Sequence, residues 1–397
     1  MKKTNLILSL LAALALSLSS SAQGYWGLVG TDGEWLIDPI YDFASDFHEG
    51  LASVVLHEKY GFVNEQGDLV IPATYTGSGS FSDGRARVLV GNWENPKLGY
   101  IDHSGKLVIP AIYDDGWDFE NGMARVSLDS LWGLIDREGN VIVDIKYDEM
   151  GFFTEGMARV RLGDWDNGRW GFVNGEGKLV IPATLELAGD FSEGLAPAKK
   201  DGLWGFIDPS GKWVVSPQYS YADGFHDGIA RVNIGGFAYM FSTENGKWGF
   251  IDKTGKMIIE PIYDIAFDFS EGLAAASLNG KWGFIDPSGK WVISPKWAFV
   301  GDFHEGLASV NVGGSPDEYG TVEGGLWGFI DKGGKLVIPT IYEWTVEFCN
   351  GAAKVKKGEY WGFITRKGEW LVKPLYEDLQ ERMDASNGNV WAKETLY

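Results

Sequence analysis

Apolar positions along this chain come in short bursts closed by polar turns, and the bursts repeat. The segment Lys281-Trp282-Gly283-Phe284-Ile285-Asp286-Pro287-Ser288-Gly289-Lys290 shows the grammar: an aromatic, Gly, an apolar pair, an acid, and Gly three residues further on. The first Gly of that grammar returns ten times, at Gly27, Gly61, Gly99, Gly133, Gly171, Gly205, Gly249, Gly283, Gly328 and Gly362. Each copy then runs through Val/Ile-rich residues toward Pro and Tyr, reaches a Phe-x-acid-Gly corner and continues as Leu-Ala-x-Val or a relative of it. No segment sustains a helical period, so the pattern predicts strands alone, three per copy, joined as a meander.

The turn residues support that reading. Asp-x-x-Gly suits a type I turn whose last residue takes positive φ, and Pro287 stands where its fixed φ fits the turn. Runs such as Leu107-Val108-Ile109-Pro110 read as strands that Pro ends, because Pro has no backbone donor. In the aromatic-Gly strand, Trp282 and Phe284 share one face and Gly283 and Ile285 the other. Gly there leaves a groove for a neighbouring ring to cover. Eight Trp hold the aromatic position (Trp26, Trp132, Trp170, Trp204, Trp248, Trp282, Trp327 and Trp361), with Tyr60 and Leu98 in the other two copies. At about 200 Å² of surface each, such rings are expected in the core.

These ten in-phase copies resemble the WG-repeat (KWG-repeat) family of bacterial proteins, over the chain from Tyr25 to the C-terminal region. The resemblance implies an exported or surface-associated binding or scaffolding array, and it brings no catalytic residues. The last copy departs from the pattern around Ala385-Ser386-Asn387-Gly388, where a cap is expected. The expected fold is all-β: ten three-stranded units stacked as an open, curved solenoid. The alternative is a closed, propeller-like ring, for which Tyr25 must approach the Trp391 region.

A second period lies over the first. The Gly-to-Gly spacings are 34, 38, 34, 38, 34, 44, 34, 45 and 34, so copies two, four, six and eight carry 4, 4, 10 and 11 extra residues. All the extra length falls between the last strand of one copy and the aromatic-Gly strand of the next, and these inserts are expected along one edge. Their aromatic and polar residues suit stacking and hydrogen bonding to sugars or extended peptides. Asn92, Trp93, Asp164, Trp165, Asp166, Phe237, Tyr239 and Tyr319 are the candidate ligand-binding residues. The competing reading folds Trp93 and Trp165 back onto their own hairpins or pairs each with its neighbour's tip.

Charge and the chain ends narrow the function. Lys2 and Lys3, the apolar run Asn5 to Ser19 and Ser20-Ser21-Ala22 read as a cleaved export signal over residues 1–22, with a retained N-terminal anchor as the alternative, leaving a repeat domain over 23–397. Removing the two lysines takes the formal charge from −21 to −23 (−21 minus 2). Such a surface disfavours nucleic acid and anionic lipid as partners. No further span of membrane length follows, and Cys349 stands alone, so no internal disulfide forms. His48, His226 and His304 share one corner position with Cys349, too far apart in an array to converge on a metal. Asp164-Trp165-Asp166-Asn167-Gly168 opens like a calcium loop but lacks its downstream Glu. There is no Gly-x-Ser-x-Gly elbow, phosphate loop or His-Glu-x-x-His. The expectation is a non-enzymatic exported protein, periplasmic, cell-surface or secreted, without cofactor or metal, that binds a glycan or protein partner. A secreted hydrolase using carboxylates of adjacent copies and a purely structural envelope spacer are the alternatives.

Overall fold

The structure, a computed structural model, describes residues 24–30, 33–239, 242–316, 322–380, 383 and 388–395. The expected export signal lies outside them. Every regular element among the described residues is a strand. The strands form ten four-stranded antiparallel sheets and two short two-stranded ribbons.

Four strands, not three, make each sheet, because the approach to the Phe-x-acid-Gly corner is itself extended. It is short in Phe43–Ala44 and six residues long in Ile265–Ser270. A sheet also straddles two sequence copies. Phe43–Ala44 and Leu51–Leu56 come from the end of the first copy, and Lys59–Asn64 and Leu69–Tyr75 from the start of the second. First strands of two neighbouring sheets, Ile265–Ser270 and Phe299–His304, lie beside one another.

The array closes on itself, which overturns the open solenoid and supports the ring. Gly24–Val29 pairs antiparallel with Val390–Thr395, from Gly24 opposite Thr395 to Val29 opposite Val390. Tyr25 therefore faces Glu394, and Leu28 faces Trp391. One sheet is thus assembled from both ends of the chain, and a ring has no terminal unit to cap. Open solenoids leave two apolar faces that need capping, whereas here each sheet's apolar face meets another sheet. Leu28, Tyr41, Ala52, Val54 and Trp391 form one such layer, and Val29, Phe363, Val372 and Val390 form the layer on the other side of the closing sheet.

Aromatic pairs, edge-on or tilted, recur in these layers. The residue after the repeat Gly meets the corner Phe of the next sheet: Phe62 with Phe81, Tyr100 with Phe119, Phe206 with Phe225 and Phe284 with Phe303, at centroid separations of 5.1, 4.9, 4.7 and 4.6 Å. Among the aromatic-Gly indoles, Trp170, Trp204, Trp248, Trp282 and Trp327 are buried, while Trp26, Trp132 and Trp361 are half-buried. The rings do join successive layers, with the Phe pairs as the more regular partners.

The repeat Gly has a different reason from the expected groove. On the third strand Phe62 pairs with Ile71 and Tyr60 with Tyr75, so two residues oppose four and the fourth strand bulges across Gly61. A Cβ on Gly61 would lie 2.7 Å from the backbone of Ile71 and Ala73, and one on Gly283 would lie 2.3 Å from the Ile293 carbonyl oxygen. Backbone fills the space, not a ring. Pro does not end the strand either: Pro72 sits inside Leu69–Tyr75, in the bulge, where no ladder donor is needed.

Candidate functional site

The polar residues that recur in every copy are engaged in holding the ring together. The corner acids Glu49, Asp83, Glu155, Glu193, Glu271 and Glu305 accept the amide N–H of the next corner's Gly. Glu155 Oε1 and Oε2 take the N–H groups of Glu193 and Gly194 at 2.7 and 2.8 Å, and Asp83, Glu193 and Glu271 reach Gly122, Gly228 and Gly306 at 2.6, 2.9 and 3.0 Å. Asp102, Asp136, Asp208, Asp252 and Asp286 instead accept bonds within their own turns. A side-chain hydrogen bond from Ser104, Asn140, Ser210, Thr254 or Ser288 is the main reason each carboxyl sits below its usual range. The acidic composition is thus largely a repeated structural device.

Arginines on the second strands form a further set of ties. Arg87, Arg125, Arg159 and Arg231 each donate Nη1 to a carbonyl of the next sheet's first strand: Gly116, Met150, Ala188 and Ala266, at 2.9, 2.9, 2.7 and 2.9 Å. Two residues beyond that carbonyl stands an acid in three cases. Arg87 lies 2.9 Å from Asp118, Arg159 3.0 Å from Asp190 and Arg231 3.3 Å from Asp268. Elsewhere the set is incomplete, and in two places one half stands without the other. Phe152 replaces the acid opposite Arg125, and Ala275 replaces the cation opposite Asp302. Burial and, less strongly, Glu347 push the Asp302 carboxyl up to about 6. Its Oδ1 is buried without a hydrogen-bond partner.

What the ties leave free is the opposite rim. Residues 91–96, 163–168, 235–246 and 313–325 join the second and third strands in alternate sheets, so all four inserts rise from one side of the ring. Sheets between them close the same hairpin in two residues, such as His57-Glu58 and Asp129-Ser130, both at positive φ as a type I′ turn requires. The paired chain ends occupy the fifth position in the alternation.

The candidate residues divide. Trp93 and Trp165 are 57% and 65% exposed at the hairpin tips. Each has a cation near its ring, Lys59 Nζ at 5.6 Å and the Arg161 guanidinium at 5.3 Å, so neither folds into the core. Asn92 and Asp164 cap their own turns by accepting from the Asn95 and Asn167 amides at 3.0 and 2.8 Å. Asp166 is exposed beside Trp165. Phe237 and Tyr239 lie on a ribbon, Phe237–Tyr239, paired with Ser242–Glu244, and their side chains lie outside the described residues, as does Tyr319 entirely. Trp93 borders a cavity of about 330 Å³ that also draws on Tyr60, Thr76, Arg87, Leu98 and Asp115.

A second cavity, of about 430 Å³, opens on the corner side of the ring. His48, Ser80, Ser82, Trp117, Asp118, Glu120, Arg125 and Phe152 are among its lining residues. Of these only His48 was noticed in the sequence, as a corner histidine and not as part of a site. The signal was the periodic Arg and the acid missing at Phe152, legible only when it is known which strands face each other. Among the described residues no three His, Cys, Asp or Glu side chains gather for a metal. Among the described residues no helix is long and apolar enough to cross a membrane. His103 and His304 contact Glu49 and Glu347 at 3.2 and 3.1 Å as single pairs.

No curated protein matches this chain. Several solved structures resemble it distantly. A eukaryotic initiation factor is 8% identical, with 89% of this chain and 100% of that one covered and a TM-score of 0.48. The extracellular domain of a putative hybrid two-component system from B. thetaiotaomicron is 12% identical, with 94% and 59% covered and a TM-score of 0.29. Dipeptidyl peptidase 4 of Porphyromonas gingivalis is 10% identical, with 83% and 58% covered and a TM-score of 0.41. At these values none bears on function. A family model described as WG containing repeat, in contrast, matches ten times in tandem, over 26–60, 60–92, 99–132, 132–164, 170–204, 204–236, 248–282, 282–315, 327–361 and 361–393. Those boundaries run from one aromatic-Gly strand toward the next and account for nearly every strand of the ring, so the chain belongs to the WG-repeat family.

Proposed function

We propose that this ring is an exported, non-enzymatic binding scaffold that takes a glycan or protein partner on its insert rim. The observation that carries this is the contrast between the two sets of aromatics. Repeat-position rings are buried or half-buried between sheets, whereas Trp93 and Trp165 stand more than half exposed on alternate sheets of one rim. Exposed indoles on rigid hairpins offer flat apolar faces at low entropic cost, with polar neighbours to orient a ligand. Trp93 also borders a cavity, which gives that face depth.

The test is the double variant Trp93→Ala/Trp165→Ala, compared with the native ring on a glycan array and in a pull-down from envelope material. Unchanged unfolding with a loss of about tenfold or more in partner affinity supports the reading. Unchanged binding removes it, and turnover of any bound glycan assigns the protein to the hydrolases instead.

A further inference from the structure

We propose that the corner-side cavity is a binding site for a sugar bearing a single carboxylate, with Arg125 as its anion-binding group. The periodic ties define what is missing. At Arg87, Arg159 and Arg231 the guanidinium meets a carboxylate supplied two residues beyond the carbonyl it bonds. Arg125 makes the same carbonyl bond, to Met150, but Phe152 occupies the acid's place. Its Nη2 is buried with no hydrogen-bond partner, and burial holds its pKa below the ordinary arginine value. Asp190 and Glu120 act on it only as weaker, more distant charges, opposed by Arg159. An arginine remains charged under such conditions, and because Arg125 lines the open cavity, its unmatched charge calls for an external anion.

The surroundings select the anion. The guanidinium lies 4.1 Å from the Phe152 ring centroid and 4.8 Å from that of Trp117, and both rings remain nearly half exposed, at 45% and 47%. Flat apolar walls beside a guanidinium suit a ring with one polar edge and one apolar face. Ser80, Ser82, His48 and Glu120 line the same cavity and supply donors and acceptors for hydroxyls. A polyanionic chain is disfavoured by the formal charge of −21 and by Asp118 and Glu120 in the lining. One carboxylate on an otherwise neutral sugar meets all of these conditions, as in a hexuronic acid.

Phe152→Asp tests this cleanly, because it restores the pattern of the neighbouring sheets and so keeps the fold. The probe is D-glucuronate, titrated by calorimetry and followed by saturation-transfer NMR, beside D-glucose, acetate and an acidic dipeptide. The expected result is glucuronate binding at about millimolar affinity or tighter, at least about tenfold better than glucose or acetate. That binding is expected to fall tenfold or more in both Phe152→Asp and Arg125→Met, while Trp93→Ala/Trp165→Ala leaves it intact. Failure of glucuronate to bind, equal binding by glucose, preference for the dipeptide, or full binding by folded Phe152→Asp would overturn the proposal. Because the insert-rim variant is read in parallel, loss of this site and loss of the proposed rim function are separately visible.

Discussion

A single residue type explains the name-giving dipeptide of these repeats. Gly is present beside the aromatic because the fourth strand's backbone passes over it, and the demand is steric before it is conformational. Gly283→Ala is therefore expected to cost about 3 kcal/mol, since the neighbour at 2.3 Å is a backbone carbonyl that cannot swing aside. Gly272→Ala, at φ +86 with open space around it, is expected to cost less, about 1–2 kcal/mol from backbone strain alone. Urea unfolding of the two variants checks the order. Asp302 makes an opposite prediction. Its folded pKa of about 6 lies above the unfolded carboxyl range, so the folded state holds a proton that the unfolded state has released. The destabilisation is absent below about pH 4, grows as pH rises through 6 and is complete above it. Asp302→Asn is expected to stabilise the ring by about 1–3 kcal/mol at pH 7 and not at all near pH 4. An unfolding series across that range with no convergence at low pH would refute this.

At the scale of the element, the unit that folds is not the unit that repeats. The hairpins, the turn chemistry and the short strands were legible in the sequence, because each depends on residues a few positions apart. The shortest first strands were not, because Phe43–Ala44 or Trp344–Thr345 is too short for a period to show. Pro72 misled in the same way: a rule about ladder donors has no force inside a bulge. The corner acids show what periodicity conceals. Their spacing looked like composition, yet most of them close a bond to the next corner. Glu155→Ala is expected to cost about 1–2 kcal/mol by leaving two amides without their acceptor, although the residue itself is exposed. Glu176→Ala, an exposed turn acid with no such bond across sheets in evidence, provides the comparison in the same thermal or urea measurement.

For the whole molecule, the closing sheet decides the architecture. Trp391 is fully buried, stacked on Phe47 at 5.8 Å and edge-on to Tyr41 at 6.1 Å, on the strand that pairs with Gly24–Val29. Trp391→Ala is expected to lose about 3–5 kcal/mol and to speed amide exchange first along Gly24–Val29, where the two ends of the chain meet. Uniform exchange across all ten sheets would instead mean that closure contributes little. A tyrosine tie crosses the same seam, Tyr376 reaching the Gly33 carbonyl at 3.5 Å, as Tyr263 reaches that of Gly289 at 3.0 Å. The closing sheet thus reuses the contacts of the interior ones.

Sequence alone determined the number of units, their all-β character, the turn types and the pairing of long with short hairpins. Those features follow from local sterics and from a hydrophobic period that each copy carries within itself. Tertiary structure decided three further things. It closed the array, because curvature per sheet accumulates only when all ten are stacked. It put the corners on the rim opposite the inserts, whose shared edge the sequence already indicated. It also revealed that Arg125 has lost its carboxylate, since that absence exists only between strands that sequence distance keeps 27 residues apart (152 minus 125).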